Sequence, residues 1–150
     1  MINIKKGFTL LELVLVVAIL SLVSLIGVPR IATAVNVYTL QAEAQKLKIW
    51  MRRAKYEAIT TGNTYRVDFI SPSTTRYRIQ YFDVNDNNQL KTVEEVDLAN
   101  GITAESTRTS TWIDFDSVGG VNSGGLHRIR VRGQGVMPRT IAINQAGRIK

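Results

Sequence analysis

Hydrophobic positions fall into three regimes along this chain of 150 residues. Of the 21 residues from Phe8 to Val28, all but Glu12 are apolar, small or hydroxylic, and Glu12 is the only charge. At about 1.5 Å rise per residue such a run makes a helix of roughly 31 Å, matching the roughly 30 Å hydrocarbon core of a bilayer. Beyond it, Val37, Leu40, Ala44, Leu47, Met51, Ala54 and Ala58 recur at spacings of three and four. That period predicts a continuing amphipathic helix with one face toward a core. Pro29 removes one backbone donor and should bend or tighten the helix. Thr60, Thr61, Gly62 and Asn63 end it, with Gly62 as a left-handed cap.

The period then changes to two. Tyr65, Val67 and Phe69 alternate with polar residues, as do Tyr77, Ile79 and Tyr81, and the stretch 71–73 reads as the turn of a hairpin between them. Asp83 to Gln89 is a polar loop. Val93, Val96 and Leu98 suggest another strand, ended by Asn100 and Gly101, and Trp112 to Phe115 is a short one. Gly119, Gly120, Gly124 and Gly125 mark a loop. Alternation returns from Leu126 to Arg132 and from Arg139 to Ile143, with a turn over Asn144 to Gly147. The fold class is α+β: one long N-terminal helix packed on antiparallel β-sheets.

Charge adds direction. Lys5 and Lys6 precede the apolar run and no acid does, which keeps the N-terminus in the cytoplasm by the positive-inside tendency. A cleaved secretory signal has a shorter apolar core and small residues at its end, so this run should be retained. The net charge is +7, unevenly spread. Residues 83–116 hold eight acids against Lys91 and Arg108, whereas residues 117–150 hold six bases and no acid. A C-terminal third of one sign steers counter-charged partners. Cysteine is absent, which excludes disulfides and cysteine-zinc sites.

The stretch Lys6 to Glu12, followed by the apolar span and Pro29, resembles the processing site of type IV prepilins and pseudopilins. The resemblance implies that a prepilin peptidase cuts between Gly7 and Phe8 and methylates the new amino group of Phe8. The glutamate of the family falls on Glu12. More weakly, Met51 to Ile59 closed by Gly62, Ile113 to Phe115, and Ile141 to Ile149 are similar to the GspH/FimT family of minor pseudopilins. This layout implies a leader over 1–7, a transmembrane helix over 8–28, its amphipathic continuation over 29–62 and a β-rich globular domain over 63–150. It also implies a structural subunit, not an enzyme, without cofactor. Stored in the inner membrane with its C-terminal domain periplasmic, it would join other pilins through the assembly platform into a type II secretion pseudopilus or type IV pilus.

A carboxylate buried in lipid must become neutral or find a cation. The Phe8 amine of a neighbouring subunit, offset along a filament, is such a cation for Glu12. Other candidates are weaker. His127 is the single histidine, G-x-S-x-G is absent, and Gly133 and Gly135 lack the third glycine of a dinucleotide loop, so catalysis has little support. Arg128, Arg130 and Arg132 occupy every second position and share one strand face. They could grip phosphates or merely blunt an exposed edge. Gly147, Arg148, Ile149 and Lys150 resemble the Gly-Arg-x-Arg ending of some FimT-like subunits of DNA-uptake pili. That resemblance implies DNA contacts at Arg148 and Lys150, although lysine loses the bidentate fork. Finally, Asp83, Asn85, Asn87, Gln89 and Glu94 fall at ligand positions of a calcium loop, whose sixth position is Asn88 instead of glycine. Asx-turns in a plain hairpin loop explain the same residues.

Overall fold

The computed structural model describes residues 8–70, 73–108, 110–122 and 126–150. The expected leader, residues 71 and 72 of the expected turn, and Gly124 and Gly125 lie outside the described residues. Helix α1 spans Leu10–Thr61 and runs as α-helix through Pro29, with no tightened turn there. Eight strands follow: β1 (Tyr65–Phe69), β2 (Ser73–Thr74), β3 (Arg76–Asp83), β4 (Gln89–Asp97), β5 (Thr103–Ser106), β6 (Trp112–Phe115), β7 (His127–Gly133) and β8 (Val136–Ile143). The chain divides into two units, one up to Val35 and one from Asn36 onward.

In the first unit the large apolar side chains from Phe8 to Leu25 are exposed, as Leu10, Leu22 and Leu25 illustrate. The helix is long and apolar enough to cross a membrane. Its hydroxyls are satisfied internally: Ser21 Oγ donates to the Val17 carbonyl at 2.8 Å and Ser24 Oγ to the Leu20 carbonyl at 2.7 Å. Such back-bonding lets serine enter an apolar environment at little cost.

In the second unit α1 contributes Leu40, Ala44, Leu47, Met51, Ala54 and Ala58 to one core. Burial begins at Leu40, while residues 30–36 are exposed, so the packed face starts later than the residue after Pro29. The three alanines let the backbone approach the strands closely. Gly62, at φ 74°, ends the helix, and its N–H donates to the Ala58 carbonyl at 3.0 Å.

Two four-stranded antiparallel sheets complete the unit, ordered β4-β3-β1-β6 and β2-β5-β7-β8. β1 and β3 pair as expected, with Val67 opposite Ile79. Their connection is more than a turn, because β2 crosses to the second sheet and pairs with β5. The β3–β4 register skips Val93, since Ile79 faces Glu94 and Gln80 faces Thr92. A bulge there explains the three-residue step from Val93 to Val96 and leaves Val93 exposed. The last strand starts at Val136, three residues before the expected Arg139. Its pairing with β7 is irregular between Val131 and Gly133, and Pro138 lies in that stretch of an edge strand. Edges and bulges are where a residue without an N–H is tolerated. Ile129, fully buried on β7, tests the packing. Ile129→Val should lower stability by about 1 kcal/mol, read from thermal unfolding of the full chain.

Candidate functional site

Two places carry the unexplained charge. The first is the start of α1. The Glu12 N–H donates to Thr9 Oγ1 at 3.2 Å, and the Leu13 N–H donates to the Thr9 carbonyl at 3.2 Å. Thr9 is thus the N-cap, and Glu12 stands third in the helix, as in a capping box. The positive end of the helix dipole favours a carboxylate there. Among the described residues the Glu12 carboxylate has no hydrogen bond or ion pair. Phe8 precedes the cap and is exposed. Gly7 lies outside the described residues.

The second place is the outer face of the β2-β5-β7-β8 sheet. On β7, His127, Ile129 and Val131 point into the core, so Arg128, Arg130 and Arg132 point outward. β8 places Ala142 opposite Arg128 and Thr140 opposite Arg130. The C-terminal residues then add to the β8 edge. The Ala142 N–H donates to the Lys150 carbonyl at 3.3 Å, and the Lys150 N–H to the Ala142 carbonyl at 2.9 Å. Directly opposite residues share a face, which puts Lys150 in one row with Ala142 and Arg128. Arg148, two residues earlier, falls on that same face. Its N–H donates to Asn144 Oδ1 at 2.8 Å, which fixes the turn.

The topology therefore gathers on one surface the arginine row and the C-terminal pair, which the chain separates by 16 residues between Arg132 and Arg148. Lys150 and Arg128 stand two strand spacings apart, about 10 Å. Only Arg132 is neutralised, by Glu105 of β5 at 2.8 Å. Arg128, Arg130, Arg148 and Lys150 form no ion pair among the described residues. His127 is buried in the core.

The acids of the middle segment are largely spoken for. Arg66 forks onto Asp114 at 2.7 and 2.9 Å, under the rings of Phe82 and Trp112. Arg76 meets Asp97 and Glu95, and Arg78 meets Asp68. The candidate calcium loop is the turn of the β3–β4 hairpin. Asp83 Oδ1 accepts the Asn85 N–H at 3.0 Å, an Asx-turn, and Asn87 and Asn88 take positive φ of 53° and 58°. Lys91 Nζ stands 2.7 Å from Asp83 Oδ2 and 3.0 Å from Asp86 Oδ2. The Lys91 ammonium holds the Asp83 carboxyl below its usual range. Glu94 lies on β4 near Arg53, at 3.9 Å. The lysine thus serves the carboxylates that calcium would need, and no group of acids or histidine suited to a metal occurs among the described residues.

Comparison with known proteins agrees with this architecture. The chain is similar to the type IV minor pilin FimU of Pseudomonas aeruginosa at 18% identity, covering 73% of this chain and 90% of that one, with a TM-score of 0.60. It is also similar to the minor pseudopilin EpsH of the type II secretion system of Vibrio cholerae, at 12% identity over 75% and 94% of the two chains, with a TM-score of 0.60. At these identities the likeness is one of fold. No curated protein matches the sequence. The prokaryotic N-terminal methylation motif matches residues 2–28. The profile of the type II transport protein GspH matches residues 43–147. The chain therefore belongs to the GspH family of type IV pilin-like proteins.

Proposed function

We propose that this protein is a minor subunit of an envelope-spanning filament, a type II secretion pseudopilus or a type IV pilus. A prepilin peptidase removes residues 1–7 and methylates Phe8. The apolar helix waits in the inner membrane with the N-terminus cytoplasmic, then leaves the lipid to bundle with helices of other subunits. The observation that carries this reading is a membrane-length apolar run opened by a Thr9 cap, with Glu12, unpartnered among the described residues, as the one charge between Phe8 and Val28. The carboxylate is affordable in lipid only as a group awaiting a cation, and the methylated Phe8 amine of a neighbour supplies one. Mass spectrometry of the protein from cells with an active peptidase should find a chain starting at Phe8 and one methyl group heavier. A chain retaining Met1 to Gly7 would end this reading.

A second reading is DNA binding during uptake. The observation favouring it is the set of cations without acidic partners, Arg128, Arg130, Arg148 and Lys150, sharing one sheet face. Contacts to phosphate make binding salt-dependent and blind to sequence. Replacing Arg148 and Lys150 together with alanine should weaken retention of duplex DNA at low salt and reduce the slope of log K against log salt by about two. Arg132→Ala should do less, because Glu105 already occupies that guanidinium. Unchanged retention in the double variant would remove both residues as contacts.

A further inference from the structure

The β8 strand is an edge of its sheet, and only part of that edge is used. The C-terminal residues pair with it at Ala142 and Ile143. Alternation of the antiparallel ladder then sends the N–H and C=O of Thr140 in the same outward direction as those of Ala142. No hydrogen bond reaches them among the described residues. Pro138, a further step along, offers a carbonyl only. The edge thus already accepts a short added strand and has room for another beside it.

Helix α1 lines the other side of this open stretch. Between them lies a cavity of about 470 Å³, bounded by Tyr38, Gln41, Gln45 and Lys48 on the helix and by Arg139 and Thr140 on the strand. A second cavity of about 470 Å³ continues it past Arg139 to Val37, Val136 and Met137. The trough is cationic at one end and apolar at the other. Neither Lys48 nor Arg139 has an ion pair among the described residues, and no acid lines either cavity.

We propose that this trough receives an extended acidic segment of a neighbouring filament subunit. The segment adds as a short strand at Thr140, sets carboxylates on Lys48 and Arg139, and lays an apolar side chain against Val37 and Met137. Strand addition draws affinity from main-chain bonds and specificity from alternate side chains. Here both the exposed backbone and the uncompensated charge ask for the same kind of occupant. Pro138 limits the pairing to a few residues, which protects the edge from open-ended aggregation. So short a contact is weak alone, and the high effective concentration within a filament compensates. The source of the segment rests on the filament reading, whereas its chemistry does not.

The test uses the detergent-solubilised full chain and a fluorescent pentapeptide with valine at position 1, aspartate at positions 3 and 5 and threonine between them, so that valine and the aspartates share one face. Saturable binding is expected, weakened roughly fivefold by combining Lys48→Ala with Arg139→Ala. A peptide N-methylated at alternate amides and a peptide with lysine for aspartate should both fail to bind. Arg128→Ala, on the opposite sheet face, should bind like the parent. Equal binding of the N-methylated or the lysine peptide, no response to the double substitution, or no saturable binding at millimolar peptide would overturn the proposal. Because no filament enters this experiment, its failure leaves the assembly reading to be judged by incorporation alone.

Discussion

Glu12→Gln is expected to leave the chain fully inserted in the membrane and to cut its incorporation into filaments by on the order of a hundredfold or more. Glutamine keeps the length and hydrogen-bonding capacity of the side chain, so the N-cap at Thr9 persists. Insertion should not suffer, because a neutral amide costs less in lipid than a carboxylate. If a neighbour's Phe8 amine pairs with Glu12 as proposed, assembly loses that pairing. Breaking one side of a buried ion pair costs about 3–5 kcal/mol, since the remaining charge is stranded. At about 1.4 kcal/mol per tenfold this exceeds a hundredfold. The measurement is the fraction of the variant in sheared filaments against the fraction in the inner membrane. Glu12→Asp separates charge from reach: it should recover part of the incorporation, because the charge survives one methylene short. Wild-type incorporation of the glutamine variant would show that Glu12 takes no part in assembly.

The sequence made the α+β class legible because its signals were long and strongly periodic. The helix core positions from Leu40 to Ala58 and the alternation in β1, β3, β6 and β7 are of this kind. What escaped was short or interrupted. β2 has two residues, and β5 has a single buried apolar side chain, Ala104, so neither has a period to detect. The start of β8 was hidden by Pro138, which reads as a strand breaker until the strand is known to be an edge. The bulge at Val93 broke the two-residue rhythm of β4. For the candidate sites, Glu12 stood out as one charge in a greasy run. The single-face arrangement of Arg128, Arg130 and Arg132 followed from alternation, but their proximity to Arg148 and Lys150 needed the pairing of the C-terminus on β8. Neutralisation of Arg132 by Glu105 was likewise a matter of which strands become neighbours. The calcium pattern shows the reverse case: ligand types at correct spacing, with a cross-strand Lys91 that spacing alone does not reveal.

Gly147→Ala should be the most damaging small substitution in the globular unit, lowering stability by about 2–4 kcal/mol. Gly147 is buried at φ 68°, a conformation that opposes any Cβ. A methyl group there would also overlap the carbonyl oxygen of Gly119 and come within 3.0 Å of Lys55 Nζ. The Gly119 backbone cannot yield easily, because the Asp116 carbonyl accepts its N–H and Asp116 Oδ1 binds the N–H groups of Val118 and Gly120. Lys55 cannot yield freely either, since its ammonium donates to the carbonyls of Ala146 and Gly147 at 3.4 and 3.1 Å. Strain of about 1 kcal/mol from the backbone therefore adds to overpacking of about 1–3 kcal/mol. For a unit of this size the melting temperature of the full chain should fall by roughly 10 °C. Gly62→Ala is the internal control. It shares a positive φ of 74° but has open space around its Cβ, so only the backbone share, about 1 kcal/mol, should appear. The same turn sets where Arg148 and Lys150 emerge, so Gly147→Ala should also expose the C-terminal residues to carboxypeptidase at temperatures where the rest of the fold persists. Equal melting of the two glycine variants would mean that the contact with Gly119 relaxes without cost and that the C-terminal strand is not held by this turn.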